Sequence, residues 1–173
     1  MSHTILTFVA KVHPARVGEL AALLEEMEAD PRNNRHLPFG ALDKLHFGSL
    51  VIFPDDTFGP YLVFENNFDG ELEPYLADLW QHASGGLHRI YGHCIGYEGT
   101  GAPDRERLLA FLRAHVVRPN AWHIGNVGRS ARRIRQEAQL HAELDEFLDA
   151  DGVRSERSPL TLRQRIQQFV RRT

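Results

Sequence analysis

The sequence predicts an α+β fold in which one antiparallel sheet is covered on one side by helices. Three observations carry this. A hairpin of branched and aromatic residues occupies the middle of the first hundred residues, alternating strand-type segments lie on either side of it, and a stretch of helical spacing separates each flanking segment from the hairpin.

The first element is Thr4 to Val12, whose alternation sets Leu6, Phe8, Ala10 and Val12 against Ile5, Thr7, Val9 and Lys11. His13-Pro14 opens a helix that places Val17, Leu20, Leu23, Leu24 and Met27 on one stripe and ends before Asp30-Pro31. Pro31 to Gly40 reads as a loop. The hairpin strands are Leu45 to Phe53 and Tyr61 to Asn67, joined through Pro54, Asp55, Asp56, Gly59 and Pro60. Asp69-Gly70 ends the second strand, and Leu72, Tyr75, Leu76, Leu79, Trp80 and Ala83 mark a helix that Ser84-Gly85-Gly86 is expected to stop. Leu87 to Tyr97 then alternates as a last strand. The order β-α-β-β-α-β is the ferredoxin-like pattern.

Further elements follow this core. A helix is expected from about Pro103 to Val116, a short strand or extended segment from Ala121 to Val127, and a long helix from Arg129 or Ser130 to Asp149 with Ile134, Ala138, His141, Leu144, Phe147 and Leu148 as its buried stripe. A polar linker, Asp151 to Ser158, precedes an amphipathic helix, Pro159 to Arg172. Residues 1–150 are therefore expected as one domain with a helical extension, and 151–173 as linker and arm. So short a helix is marginal alone, which predicts that it docks on protein, with an anionic membrane surface as the alternative.

With 173 residues, 42% hydrophobic and 25% charged, the chain has the composition of an ordinary globular protein. A formal charge of −3 argues against general nucleic-acid binding. The single cysteine, Cys94, excludes a disulfide framework, and no leader-like start or apolar run of ~20 residues is visible, so a cytoplasmic protein is expected. Cys94 itself turns toward the helices by parity and reads as a small buried hydrophobe.

In a sheet of this type one face is covered and the other open. Parity puts Thr7, Lys11, Tyr61, Glu65 and Asn67 on the open face, with Tyr91, His93 and Tyr97 beside them. Placing Leu45, Phe47, Val51 and Phe53 inward turns His46, Gly48 and Leu50 outward. Such a mixture of aliphatic and polar groups suits a small organic molecule. The catalytic candidates are His93, as acid/base or haem ligand, with His46 and Tyr97. Asn67, Glu65, Asp69 and Tyr91 are candidates for binding the substrate. His46 and His93 would sit on opposite edges, roughly 14 Å apart, too far for a shared ion with ligands at ~2.1 Å, so no metal site is expected. Arg129, Arg132 and Arg133 crowd positive charge at a helix N-terminus, which either a bound anion or salt bridges to the acidic cluster Glu25, Glu26, Glu28 and Asp30 would relieve.

Several segments carry a family resemblance: His46-Phe47, Asn66-Asn67-Phe68-Asp69-Gly70, and the runs GLHRIYGHCIGY, HVVRPNAWHIG and GRSARRIRQEAQLHAELDEFLD. Together they resemble a little-characterised family of bacterial peroxidase-like proteins, and more broadly the dimeric α+β barrel superfamily. The resemblance implies a small-molecule-binding protein or enzyme working over the open sheet face, with oxidoreductase chemistry among the activities it suggests, and a homodimer. It also implies haem as a candidate cofactor, with Asp69-Gly70 echoing a distal aspartate loop. The alternative is a non-catalytic module for protein association.

Overall fold

The computed structural model describes residues 2–97 and 99–171, apart from the side chains of Asp151 and Gly152. Four strands, β1 (His3–Lys11), β2 (Leu45–Phe53), β3 (Tyr61–Asp69) and β4 (Val116–Val117), form an antiparallel sheet in the order β2-β3-β1-β4. The helices are α1 (Val17–Glu28), α2 (Leu72–Tyr91), α3 (Arg105–Ala114), α4 (Ala131–Asp149), α5 (Asp151–Arg154) and α6 (Pro159–Val170). The fold class is α+β. Two compact units make up the chain, Met1–Ala131 and Arg132–Thr173.

In the first unit Leu6, Phe8 and Ala10 of β1, Val12 just after it, and Leu62, Phe64 and Phe68 of β3 point to one side of the sheet. There they form a core with Leu20, Leu23 and Met27 of α1, Leu76, Leu79, Leu87 and Ile90 of α2, and Leu108 and Leu112 of α3. One polar pair lies within it: Tyr75 donates to Asn66 Oδ1 at 2.6 Å while Asn66 Nδ2 donates to the Phe64 carbonyl, so the buried amide is satisfied.

Two expectations are corrected here. Leu87 to Tyr97 is not a strand, because α2 continues through Gly85-Gly86 to Tyr91. The glycines do not stop it. A β-carbon on Gly86 would lie 1.8 Å from the His36 carbonyl oxygen, so this glycine lets the loop after α1 pack against the helix backbone. Leu87, Ile90 and Tyr91 extend the same buried stripe. The place beside β1 is taken by β4, with Thr7 opposite Val117 and Phe8 opposite Val116, and Cys94 contributes one bridge to Val12. Residues Ala121 to Val127 form no strand.

The second correction is the parity of β2. The register shifts between Leu45, opposite Phe68, and Phe47, opposite Asn67, so His46 is the extra residue of a β-bulge. Beyond it every side chain changes face. Gly48, Leu50 and Ile52 turn inward, and Phe47, Val51 and Phe53 turn outward, the last three being 58%, 47% and 57% exposed. Gly48 is what makes this fit, since a β-carbon there would come within 2.9 Å of the Phe39 ring.

The second unit is helical. Ser158 Oγ caps α6 by accepting from the Thr161 N–H, Pro159 occupies its first turn, and Phe169 stacks on Phe147 of α4 with centroids 4.9 Å apart. The arm thus docks on its own chain. Arg172, counted into that helix by its sequence, lies outside the described residues. Of the stripe expected on α4, Ile134 and Phe147 are half-buried, whereas His141, Leu144 and Leu148 are exposed. No helix among the described residues is long and apolar enough to cross a membrane.

Candidate functional site

The bulge sets the site. It aims His46 along the sheet to Asp69, the last residue of β3, with His46 Nε2 2.9 Å from Asp69 Oδ1. Antiparallel pairing places His3 opposite Asp69 on the neighbouring strand, and His3 Nδ1 lies 3.7 Å from the same oxygen. The two imidazoles face each other with ring centroids 4.8 Å apart.

Backbone contacts hold the carboxylate in place. The Asp69 N–H donates to the Lys44 carbonyl, the Gly70 N–H to Ser2, and Thr4 Oγ1 to the Gly70 carbonyl. Gly70 turns the chain out of the sheet at φ +91°, a conformation that favours glycine. Asp69 Oδ2 accepts from the Ala131 N–H at 2.8 Å. The first N–H of α4 is thus met by the carboxylate of Asp69. Arg133 pairs with Glu137 along α4 at 2.9 Å, Arg129 donates its backbone N–H to Asn126, and Arg132 is exposed.

The sheet face that carries His3 and Asp69 also carries Ile5 opposite Asn67, with Phe47 next to Asn67 on β2. Two polar atoms here are buried and unpartnered, His3 Nε2 and Asn67 Oδ1. Native proteins leave few such atoms unpaired, and these two lie beside a buried carboxylate and an exposed phenyl ring. Glu65 lies farther along the face, exposed, and accepts from Ser49 Oγ at 2.9 Å.

The other candidates lie elsewhere. With Leu87 to Tyr97 no longer a strand, His93, Tyr91 and Tyr97 are not on this face. Tyr91 is wholly buried in α2, its hydroxyl unpartnered, and burial holds its phenol well above the usual range. Tyr97 is raised by burial against the opposing pull of Arg107, and it donates to His88 Nδ1 at 2.8 Å. Burial likewise pushes the Cys94 thiol up to about 12, with Arg16 acting weakly the other way, so this cysteine is no nucleophile at neutral pH.

Of the residues proposed for haem, His93 donates from Nδ1 to the Arg89 carbonyl at 2.8 Å, which leaves Nε2 as the nitrogen that could meet a metal, and the exposed Glu19 carboxylate stands 3.6 Å from that atom. Asp69 is engaged with His46 through one oxygen and with the Ala131 N–H through the other.

Sequence reasoning missed His3, which reads as a terminal residue. The signal was present in the pairing register: once Phe8 is set opposite Phe64, His3 falls opposite Asp69. Clefts also lie away from this cluster. One, about 500 Å³, is lined by Leu24, Met27, Phe39, Leu50 and Ile52 between α1 and the edge strand β2. Another, about 810 Å³, is lined by His13, Arg16, Tyr97 and Arg107. Comparison with protein-family profiles, curated proteins and solved structures finds no match to this chain.

Proposed function

We propose that the protein binds, and acts on, a small, partly apolar organic molecule at the end of the sheet where His46, Asp69 and His3 meet. The observation that carries this is the bulge that points His46 at the buried Asp69 carboxylate, whose second oxygen is held by the Ala131 N–H. A hydrogen bond of this kind fixes an imidazole's orientation, the preparation seen wherever histidine takes part in chemistry. Asn67 offers an unpaired carbonyl oxygen to orient the ligand, and Phe47 and Ile5 offer apolar contact. Oxidative or isomerising chemistry on such a ligand is the reaction class. The strand order and the helices on a single face support a ferredoxin-like architecture, in which the opposite sheet face is the working surface.

A fragment screen by protein-observed NMR tests the reading. Hits are expected to shift resonances of His46, Asn67 and Phe47, and to weaken about tenfold or more in Asn67→Ala, the loss of roughly one directed hydrogen bond. Hits that map only to the cleft of Arg16 and Arg107 would overturn it.

A second reading, self-association through the same face, is favoured by the outward Phe47, Val51 and Phe53. Light scattering decides it, a monomer mass at high concentration excluding the dimer.

A further inference from the structure

We infer that His3, His46 and Asp69 form a binding site for a divalent first-row transition-metal ion. This rests on the reading that the cluster is the working centre, and it names what that centre holds. The three residues offer one donor atom each, and those atoms lie within 4.8 Å of one another. Ligands about 2.0–2.2 Å from a common ion, at octahedral or tetrahedral angles, stand about 2.8–3.6 Å apart. Asp69 Oδ1 is already 2.9 Å from His46 Nε2 and 3.7 Å from His3 Nδ1. Small side-chain movements therefore bring the three donors around one ion.

Four features separate this set from a chance grouping of polar residues. The side chains are 6%, 15% and 9% exposed for His3, His46 and Asp69, so they have left water, which surface acids and histidines do not do. The Ala131 N–H orients the carboxylate through its other oxygen, as a supporting contact orients a metal ligand. His3 Nδ1 stands 3.7 Å from Asp69 Oδ1, too far for a good hydrogen bond and close to the spacing of two ligands on one ion. The ligands come from β1, β2 and β3, three rigid strands held in register.

The donor set fixes the class of ion. Two imidazoles and one carboxylate favour zinc, iron(II) and their neighbours over magnesium and calcium, which prefer oxygen. Three protein ligands leave at least one position for water or for an oxygen of the bound molecule, which the ion would polarise.

The test uses the full-length, tag-free protein, because a histidine tag beside His3 would supply competing ligands. Calorimetric titration with Zn²⁺ is expected to show one site per chain, and Co²⁺ is expected to give visible d–d absorption of four- or five-coordinate strength. Mg²⁺ should not compete. His3→Gln and His46→Gln should each weaken Zn²⁺ binding about tenfold or more, while His82→Gln, at an exposed helical position, should leave it unchanged. Failure of the wild-type protein to bind Zn²⁺ or Co²⁺ overturns the inference, whether or not any variant folds. So does stoichiometric binding that survives both His3→Gln and His46→Gln. If metal binding fails while NMR hits still shift His46 and depend on Asn67, the small-molecule reading stands and only the metal falls.

Discussion

The backbone of His36 runs so close to Gly86 that a β-carbon on that glycine would lie 1.8 Å from the His36 carbonyl oxygen and 2.4 Å from its α-carbon. Gly85, next to it in the same helix, has nothing within 4 Å of the equivalent position. Alanine should therefore act oppositely at the two sites. Gly85→Ala is expected to stabilise by about 0.5–1 kcal/mol, since glycine costs that much in a helix interior. Gly86→Ala must displace a backbone segment and is expected to cost about 1–3 kcal/mol or more. Thermal melts of the two variants would check this, and a stabilised Gly86→Ala protein would show that the loop does not pack there.

Cys94 predicts an alkaline limit. Its thiol is raised by burial from 9.0 to about 12, so above the unfolded value the unfolded chain ionises while the folded one stays protonated. The stabilising contribution is complete below about pH 9 and is lost as pH rises toward 12. Buried Tyr75 and Tyr91, both raised by desolvation, add to the loss in the same direction above pH 10. Denaturant melts should show stability falling from pH 9 upward, and Cys94→Ala should flatten the first part of that fall. In the native protein at pH 8, a thiol reagent should react only as fast as the chain opens.

Legibility of the sequence divided along physical lines. β1, α1 and the hairpin strands could be read because their apolar spacing has one interpretation and nearby turn residues bound them. LHRIY at the end of α2 fits both a period of 2 and a period of 3.6, and Gly85-Gly86 tips a local reading toward a strand. What decides it is the distant carbonyl of His36, which no local window contains. His46 shows the same limit at the site. Alternation puts it on the outward face, but a single extra residue in β2 inverts everything after it, and the inversion depends on Phe39 fitting over Gly48. His46 and Asp69 could each be named as candidates, whereas their contact, and the place of His3 beside them, needed the register.

Tyr97 and His88 make a buried pair that can be tested by one atom. His88 Nε2 donates to the Gly101 carbonyl at 3.1 Å, so its Nδ1 is the acceptor of the Tyr97 hydroxyl at 2.8 Å. Tyr97→Phe removes only that hydroxyl and leaves a buried nitrogen without a donor, at a cost of about 1–3 kcal/mol. For a chain of this length that lowers the melting temperature by about 2–4 °C per kcal/mol. The ring's packing on Phe111 is retained, so circular dichroism should be unchanged. An unaltered melting temperature would mean that water replaces the hydroxyl.

Asp69 has two jobs that substitutions can separate. One oxygen takes the Ala131 N–H, and the other takes His46. Asp69→Asn keeps a carbonyl oxygen for Ala131 and, once His46 takes its other tautomer, an amide that donates to Nε2, so its cost should be modest, near the ~1 kcal/mol of an ordinary hydrogen bond. Asp69→Ala leaves both partners without an acceptor in a place where little water reaches, and about 2–4 kcal/mol is expected from two unsatisfied groups. Chemical denaturation should therefore rank wild type, Asp69→Asn and Asp69→Ala in falling order, with His46→Ala between the last two because it frees only one oxygen. The chemistry of the site should rank differently. An asparagine offers neither the negative charge nor the full lone-pair set of the carboxylate, so any metal or ligand affinity that depends on Asp69 should be lost as fully in Asp69→Asn as in Asp69→Ala. If affinity instead follows stability across the three variants, Asp69 serves the fold alone.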